Sequence, residues 1–364
     1  MTACDGCLRR TALIGLLAGH VDRARRDHRH IRELLALPDA ALLAALAGDR
    51  RCALQRSYEQ IAPRAARSRL AAARLHAICR HDAGYPPRLL QSTDAPAVLH
   101  VAGNPALLAA LAAGGTPAVA VVGARRAGQD ALEIARGLAR GLAAAGVTVI
   151  SGMALGIDSA AHAGALEVGG PTLGVLASGA DVAYPPSKRG LYRALVRDQA
   201  VVSEMPPGSS PHRWCFPARN RTIAGLASLT IVVEAAERSG SLITAELAQE
   251  LGRAVGAVPG PVLAPRTAGS NALLRDGALV IRHAQDALDE ALGIGVATAL
   301  PRRDPGRLET PLRALLARVA DGGDTVSALA ATPAEAQQAL AGLAELELQG
   351  FVRRAAGGRY VALA

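Results

Sequence analysis

Glycines and arginines stand together where a short apolar run ends and a helical pattern begins. Gly123, Arg125 and Arg126 directly follow the apolar run at 119–122. A glycine lets a ligand approach the backbone, and the first turn of a helix directs unpaired N–H groups toward an anion. With two guanidiniums in the same loop, this segment predicts an anion-binding site. The competing interpretation is a tight turn whose arginines are merely solvated.

Three more groups of small, amide or cationic residues accompany later apolar runs. They are Ser151 and Gly152 after the run at 147–150; Lys188 after the run at 172–176; and Arg219, Asn220, Arg221, Ser239, Gly240 and Ser241 on either side of the run at 230–233. In open α/β sheets, ligands bind at the carboxyl ends of the strands. Each group alone is a weak signal. Together they predict a basic groove that no single nucleotide needs.

The same loops argue against a nucleotide cofactor and against catalysis. Gly123 and Gly128 match a dinucleotide fingerprint except for its second glycine, so we expect no nicotinamide or flavin cofactor. Asp158 and His162 are four residues apart, which fits an acid–base pair or an aspartate N-cap with a histidine packed beneath it. We favour the N-cap, because no serine or cysteine nucleophile accompanies the pair. No catalytic residue is assigned.

Five cysteines form an odd set, which disfavours a disulfide framework and is typical of a reducing compartment. Cys4 and Cys7 form a C-x-x-C pair, but the sequence has no second such pair to complete a tetrahedral metal site. His28 and His30 could in principle contribute ligands. We therefore expect a functionless N-terminus and no metal. Since neither an apolar targeting segment nor an uninterrupted run of 18 apolar residues occurs, we expect a cytoplasmic protein without membrane contact.

The composition indicates what kind of folded protein carries these sites. The chain has 364 residues, of which 50% are hydrophobic and 2% aromatic, and its formal net charge is +9. This predicts two or three folded domains with aliphatic cores, and few stacking platforms for bases. The first hundred residues carry 16 Arg against 9 acidic side chains, which fits either a phosphate-backbone binder or a compositional bias.

Four segments are predicted along the chain. Residues 1–84 carry leucines at helical spacing and predict a helical domain, with Arg-rich stretches on solvated faces; its helix-hairpin-helix (SAM-like) type is an expectation from the family resemblance of the motifs that follow it. Residues 85–293 begin with a Pro-rich connector and then alternate β-branched runs with helical stretches, which predicts a Rossmann-like, doubly wound parallel sheet. Residues 294–306 are a linker. Residues 307–364 predict three helices and a β-hairpin, the order of a winged-helix domain.

Seven ordered motifs resemble the DNA-processing protein A (DprA/Smf) family. They are Gly123-x-Arg125; the loop 151–158 with Ala161 and His162; Tyr184-Pro185; Ser203-Glu204 with Pro206 and Gly208; the segment 216–221 with Ala224 and Gly225; the segment 239–245; and Val258-Pro259-Gly260. The resemblance implies a Rossmann-like domain that binds single-stranded DNA without catalysis, dimerises, and hands the strand to the RecA recombinase during natural transformation. For the nearly neutral winged-helix segment we favour a protein-contact or regulatory role.

A second class of function stays open beside this expectation. Related Rossmann-like sheets house nucleotide or phosphoribosyl hydrolases, which resemble one another in a Pro-Gly-Gly-x-Gly-Thr-x-x-Glu loop. The corresponding stretch, 234–245, carries serines and threonine in place of that glutamate arrangement. We therefore expect a binding protein whose partners are single-stranded DNA, RecA and a second copy of itself, and which is not an enzyme.

Overall fold

The computed structural model describes residues 3–26, 31–114, 117–296, 308–349 and 351–362. It divides into two compact units, Met1–Ala299 and Leu300–Ala364. The first unit contains an N-terminal group of helices and a large sheet. The second contains three helices and a hairpin.

The first unit begins with five helices: α1 (Asp5–Arg26), α2 (Ile31–Ala36), α3 (Asp39–Leu46), α4 (Arg51–Glu59) and α5 (Pro63–Ala72). Leucines at helical spacing, such as Leu13 and Leu17, are fully buried on the inner face of α1. This face packs against Trp214, whose indole Nε1 donates a hydrogen bond to the carbonyl of Ala18 at 2.9 Å. The helices therefore share a core with the sheet that follows.

The sheet has nine strands, in the spatial order β1-β2-β6-β5-β4-β3-β7-β8-β9. In chain order they are β1 (His76–Cys79), β2 (Val98–Gly103), β3 (Ala118–Val122), β4 (Thr148–Ser151), β5 (Thr172–Val175), β6 (Ala200–Ser203), β7 (Leu229–Val232), β8 (Ala254–Ala257) and β9 (Leu279–Val280). Strands β3 to β9 run parallel to one another, whereas β2 pairs antiparallel with both β1 and β6.

Helices cover both faces of this sheet. They are α6 (Ala106–Ala112), α7 (Gln129–Ala144), α8 (Ile157–Glu167), α9 (Arg189–Asp198), α10 (Cys215–Leu226), α11 (Gly240–Glu250), α12 (Ala268–Arg275) and α13 (Ala284–Leu292). Successive residues of β3 alternate between two cores: Ala120 belongs to the core that includes α10 and α11, and Val121 to the core that includes α7, α8 and α13. Burial on both faces explains why the strands are continuous apolar runs, and it confirms the predicted doubly wound sheet.

Strands β3, β4, β5 and β7 coincide, to within one residue at either end, with the apolar runs at 119–122, 147–150, 172–176 and 230–233. The Pro-rich connector prediction needs correction, because this segment contains β2 and α6. Strand β1 likewise joins the sheet from within the segment 1–84. Both strands lie at one edge of the sheet, where they pair antiparallel rather than through a β-α-β crossover. The alternation of strand and helix patterns therefore does not predict them.

The strand order creates a crevice beside β3. From β3 the chain winds through β4 and β5 to β6 on one side, and then returns to place β7 on the other side of β3. The loops that leave the carboxyl ends of β3 and β7 therefore diverge to opposite faces. Such a topological switch point is where open α/β sheets bind their ligands.

The second unit contains α14 (Thr310–Ala320), α15 (Val326–Leu329) and α16 (Pro333–Leu348), followed by a hairpin of β10 (Val352–Arg354) and β11 (Tyr360–Ala362). A capping box between Thr332 and Glu335 sets the start of α16. The element order agrees with the three helices and hairpin expected from the sequence. Most of the predicted linker lies outside the described residues. Within the described ranges, no helix combines the length and apolar character needed to cross a membrane.

Candidate nucleic-acid interface

A cleft of about 1200 Å³ opens at the switch point. Seven of the twelve predicted site residues line it: Gly123, Arg125, Arg219, Asn220, Ser239, Gly240 and Ser241. They come from the loop after β3, from α10, and from the start of α11. The tertiary structure thus brings together groups that are separated by more than a hundred residues in the chain.

Arg125 is an exposed cation at the rim of the cleft. Its guanidinium carbon lies 5.2 Å from the ring centre of Phe216, a cation–π contact that holds the charge in place. Phe216 in turn contacts Tyr184, with ring centres 5.7 Å apart and planes inclined by 53°. Phe216 lines the cleft, and Tyr184 is exposed beside it. The rim therefore pairs a positive charge with two aromatic rings.

Arg219 is a buried cation at the floor of the cleft. Its Nη1 donates to the carbonyl of Val175 at 2.8 Å, whereas its Nε has no hydrogen-bond partner in the described structure. Burial lowers the pKa of Arg219, and the nearby carboxyl of Asp158 counteracts this. An incompletely paired guanidinium facing a cleft can hydrogen-bond an anion that enters it.

The third component is the N-terminus of α11. The Ser239 hydroxyl caps this helix by accepting from the N–H of Ser241 at 3.4 Å, and Asn220 Nδ2 donates to the carbonyl of Gly240 at 3.2 Å. The capped helix end presents backbone N–H groups and two hydroxyls to the cleft. This is the geometry that binds phosphate oxygens at helix N-termini.

Five of the predicted residues do not line the cleft. They are Arg126, Ser151, Gly152, Lys188 and Arg221. The Ser151 hydroxyl donates to the carbonyl of Val121 at 2.7 Å, inside the sheet. Gly152 serves packing, because a Cβ there would come within 1.6 Å of Arg219 Nη1. Lys188 is half-buried at the end of a short 3-10 turn, and Arg126 is exposed.

Arg221 belongs to a buried ion-pair network. Its guanidinium donates to both oxygens of Glu204, at 3.0 and 2.7 Å, and to Asp94 Oδ2 at 3.1 Å. Although burial opposes it, the Arg221 charge holds the pKa of Asp94 below its usual range. Arg221 thus joins α10 to the segments before β2 and after β6, and its donors are not available to a ligand.

Asp158 and His162 do not form an acid–base pair. His162 Nδ1 contacts the Thr172 hydroxyl at 2.8 Å, whereas Asp158 accepts the N–H of Ala154 at 3.2 Å. Burial lowers the pKa of His162 to about 4, so this histidine is neutral near pH 7. The expected N-cap was wrong in detail, since the cap position of α8 is Gly156 and Asp158 lies inside the first turn.

Sequence reasoning missed several residues of the cleft. Arg25, Arg32 and Arg213 also line it, although Arg25 and Arg32 belong to a stretch that was expected on a solvated face. Arg32 is paired with Asp94 and Glu250, whereas Arg25 and Arg213 make no ion pair with any residue the structure describes. Their charge was visible in the sequence, but only the packing of the helices against Trp214 brings the N-terminal arginines to the cleft.

Fold and cleft together define a class: a doubly wound α/β protein with an arginine-lined cleft at its switch point. The chain belongs to the DNA recombination-mediator protein A family, whose model matches residues 76–292. The resemblance drawn from its motifs is thereby confirmed.

Individual relatives agree with this assignment. DNA processing protein DprA of Streptococcus pneumoniae is 42% identical over 209 residues, which cover 57% of this chain and 72% of that protein. Protein Smf of Escherichia coli is 36% identical over 296 residues, or 79% of this chain and 77% of that protein.

Two solved structures are similar to this fold. The X-ray structure of DprA from S. pneumoniae has a TM-score of 0.63 at 33% identity, covering 80% of this chain and 99% of that one. DNA processing protein A from Helicobacter pylori, described for its single-stranded DNA binding mode, has a TM-score of 0.53 at 27% identity, covering 59% of this chain and 94% of that one.

Proposed function

We propose that the cleft binds the backbone of single-stranded DNA. The observation that carries this proposal is the convergence of Arg125, Arg219 and the capped N-terminus of α11 on one side of the switch point. Phosphates are held by such cations and N–H groups without regard to sequence. The DNA-binding mode described for the H. pylori relative supports the same ligand class.

The rim favours a single strand over a duplex. Phe216 and Tyr184 offer ring faces beside Arg125, and unpaired bases can stack on such rings while their phosphates contact the cation. In a duplex the bases are already stacked and paired. Gel shifts with single- and double-stranded DNA across a salt series test this, and equal affinity for both forms at near-physiological salt would refute it.

We further propose that binding serves recombination rather than turnover. On this hypothesis the protein is a cytoplasmic homodimer that protects incoming single strands and loads RecA onto them, while the C-terminal unit acts as a winged-helix contact module. The support is family membership and the hydrogen bonds of Asp158 and His162, which go to Ala154 and Thr172 rather than to each other in the described structure.

One experiment separates loading from turnover. Strands pre-coated with single-strand-binding protein are incubated with RecA and this protein, and a parallel screen measures hydrolysis of nucleotides and nucleic acids. We expect faster RecA assembly and no turnover. Turnover that His162→Ala abolishes, with no effect on RecA assembly, would favour the hydrolase alternative. Light scattering that detects only a 37.2 kDa species at micromolar concentration would contradict the dimer.

A further inference from the structure

Four potential metal ligands converge outside the cleft. Cys4 and Cys7 lie at the start of α1, whereas Cys79 ends β1 and His81 follows it by two residues. Their sulfur and ring-nitrogen atoms all lie within 4.8 Å of one another. Cys7 and Cys79 are buried, Cys4 and His81 are exposed, and none of the three cysteines forms a disulfide.

The spacing of these atoms matches a tetrahedral zinc site. With Zn–S of about 2.3 Å and Zn–N of about 2.0–2.1 Å, tetrahedral angles place sulfur and nitrogen ligands about 3.6 Å apart. His81 Nδ1 lies 3.4 Å from the sulfur of Cys4 and 3.4 Å from that of Cys7.

The backbone around the cluster is arranged for thiolate ligands. The N–H of Cys4 lies 3.5 Å from the sulfur of Cys79, and the N–H groups of Cys7 and His81 hydrogen-bond to the sulfurs of Cys4 and Cys79. Asp82 Oδ2 accepts the N–H of Cys79 at 2.7 Å and so fixes the turn that carries His81. Such outer hydrogen bonds orient the ligands of metal sites.

We propose that Cys4, Cys7, Cys79 and His81 bind one Zn²⁺ ion. Three thiolates and one imidazole are a closed ligand set, which is typical of a structural zinc rather than a catalytic one. The ion would tie the first turn of α1 to β1, the outermost strand of the sheet. The proposal departs from the expectation of a functionless N-terminus: the C-x-x-C pair would find its partners in Cys79-x-His81, while His28 and His30 lie outside the described residues.

The test measures metal bound to the purified full chain. Protein prepared without chelators is passed through gel filtration, and its zinc is quantified by mass spectrometry. We expect one zinc per chain in the wild type and in Cys52→Ser, an exposed-cysteine control outside the cluster, and none in Cys4→Ser. Because Cys4 is itself exposed, its substitution is compatible with a folded chain, which circular dichroism verifies.

Two further measurements distinguish a built site from adventitious metal. Replacement of zinc by Co²⁺ should produce the visible absorption of a tetrahedral thiolate site in the wild type but not in Cys4→Ser. A strong chelator should lower the melting temperature of the wild type and leave that of Cys4→Ser unchanged. The proposal would be overturned if the wild-type protein held no zinc after incubation with equimolar Zn²⁺. It would also be overturned if Cys52→Ser lost zinc to the same extent as Cys4→Ser.

Discussion

Arg125 provides the sharpest test of the proposed DNA interface. Its guanidinium lies at the rim of the cleft, makes no ion pair with the described residues, and is held over Phe216. If it contacts one phosphate, Arg125→Ala should reduce the slope of log K against log salt by about 0.7, the contribution of one contact on a single strand. The ratio of wild-type to Arg125→Ala affinity should therefore fall by about 2.5-fold when the salt concentration rises from 50 to 200 mM.

Arg126→Ala is the matched control for this prediction. Arg126 is the adjacent residue and is equally exposed, but it does not line the cleft. The assay is fluorescence anisotropy with a labelled oligonucleotide at four or more salt concentrations. Arg125→Ala with the wild-type slope, or Arg126→Ala with the larger slope change, would refute the assignment of the cleft as the DNA site.

Three further predictions concern the rim, the ion-pair network and pH. Phe216→Leu should weaken single-strand binding by about 5- to 100-fold, the value of one stacked base, with an unchanged salt slope in anisotropy; a changed slope would contradict stacking. Arg221→Met should lower the free energy of unfolding by about 3–5 kcal/mol in urea titrations, because buried Glu204 loses its guanidinium partner and buried Asp94 keeps only Arg32; wild-type stability would refute this. Burial lowers the pKa of His100 and His162 to about 4, so the unfolded chain binds protons that the folded one excludes. The free energy of unfolding should therefore be highest above about pH 6.5 and fall toward pH 4, by on the order of 3 kcal/mol per histidine. His162→Asn should make the melting temperature less dependent on pH, and an unchanged pH profile would contradict this prediction.

The repeating part of the fold could be predicted because each element carries its own local signal. The runs that form β3 to β9 are apolar and β-branched, they are bounded by glycine and helical stretches, and those of β3 to β7 are buried on both faces. Since crossovers between such strands are right-handed, alternation alone predicts a parallel sheet. The residues after β3 and after β7 could likewise be assigned to one edge, because all parallel strands end there.

What a residue does at that edge depended on side-chain packing. Arg219 and Arg221 are two residues apart in α10, and nothing in their spacing distinguishes them. One faces the cleft with an unpaired Nε, and the other is enclosed by Glu204 and Asp94, which come from distant segments. Gly152 looked like a point of close ligand approach, yet the space it leaves is filled by the Arg219 guanidinium.

Contacts between remote segments also decided the role of the N-terminus. The sequence by itself determined that Cys4 and Cys7 share one turn, as three-residue spacing on a helix requires. It could not determine that Cys79 and His81 complete the set, because β1 reaches them only through antiparallel pairing with β2 at the sheet edge. Local periodicity determines which elements form, whereas the positions of ligands and charges that are far apart in the chain are decided only when those elements pack.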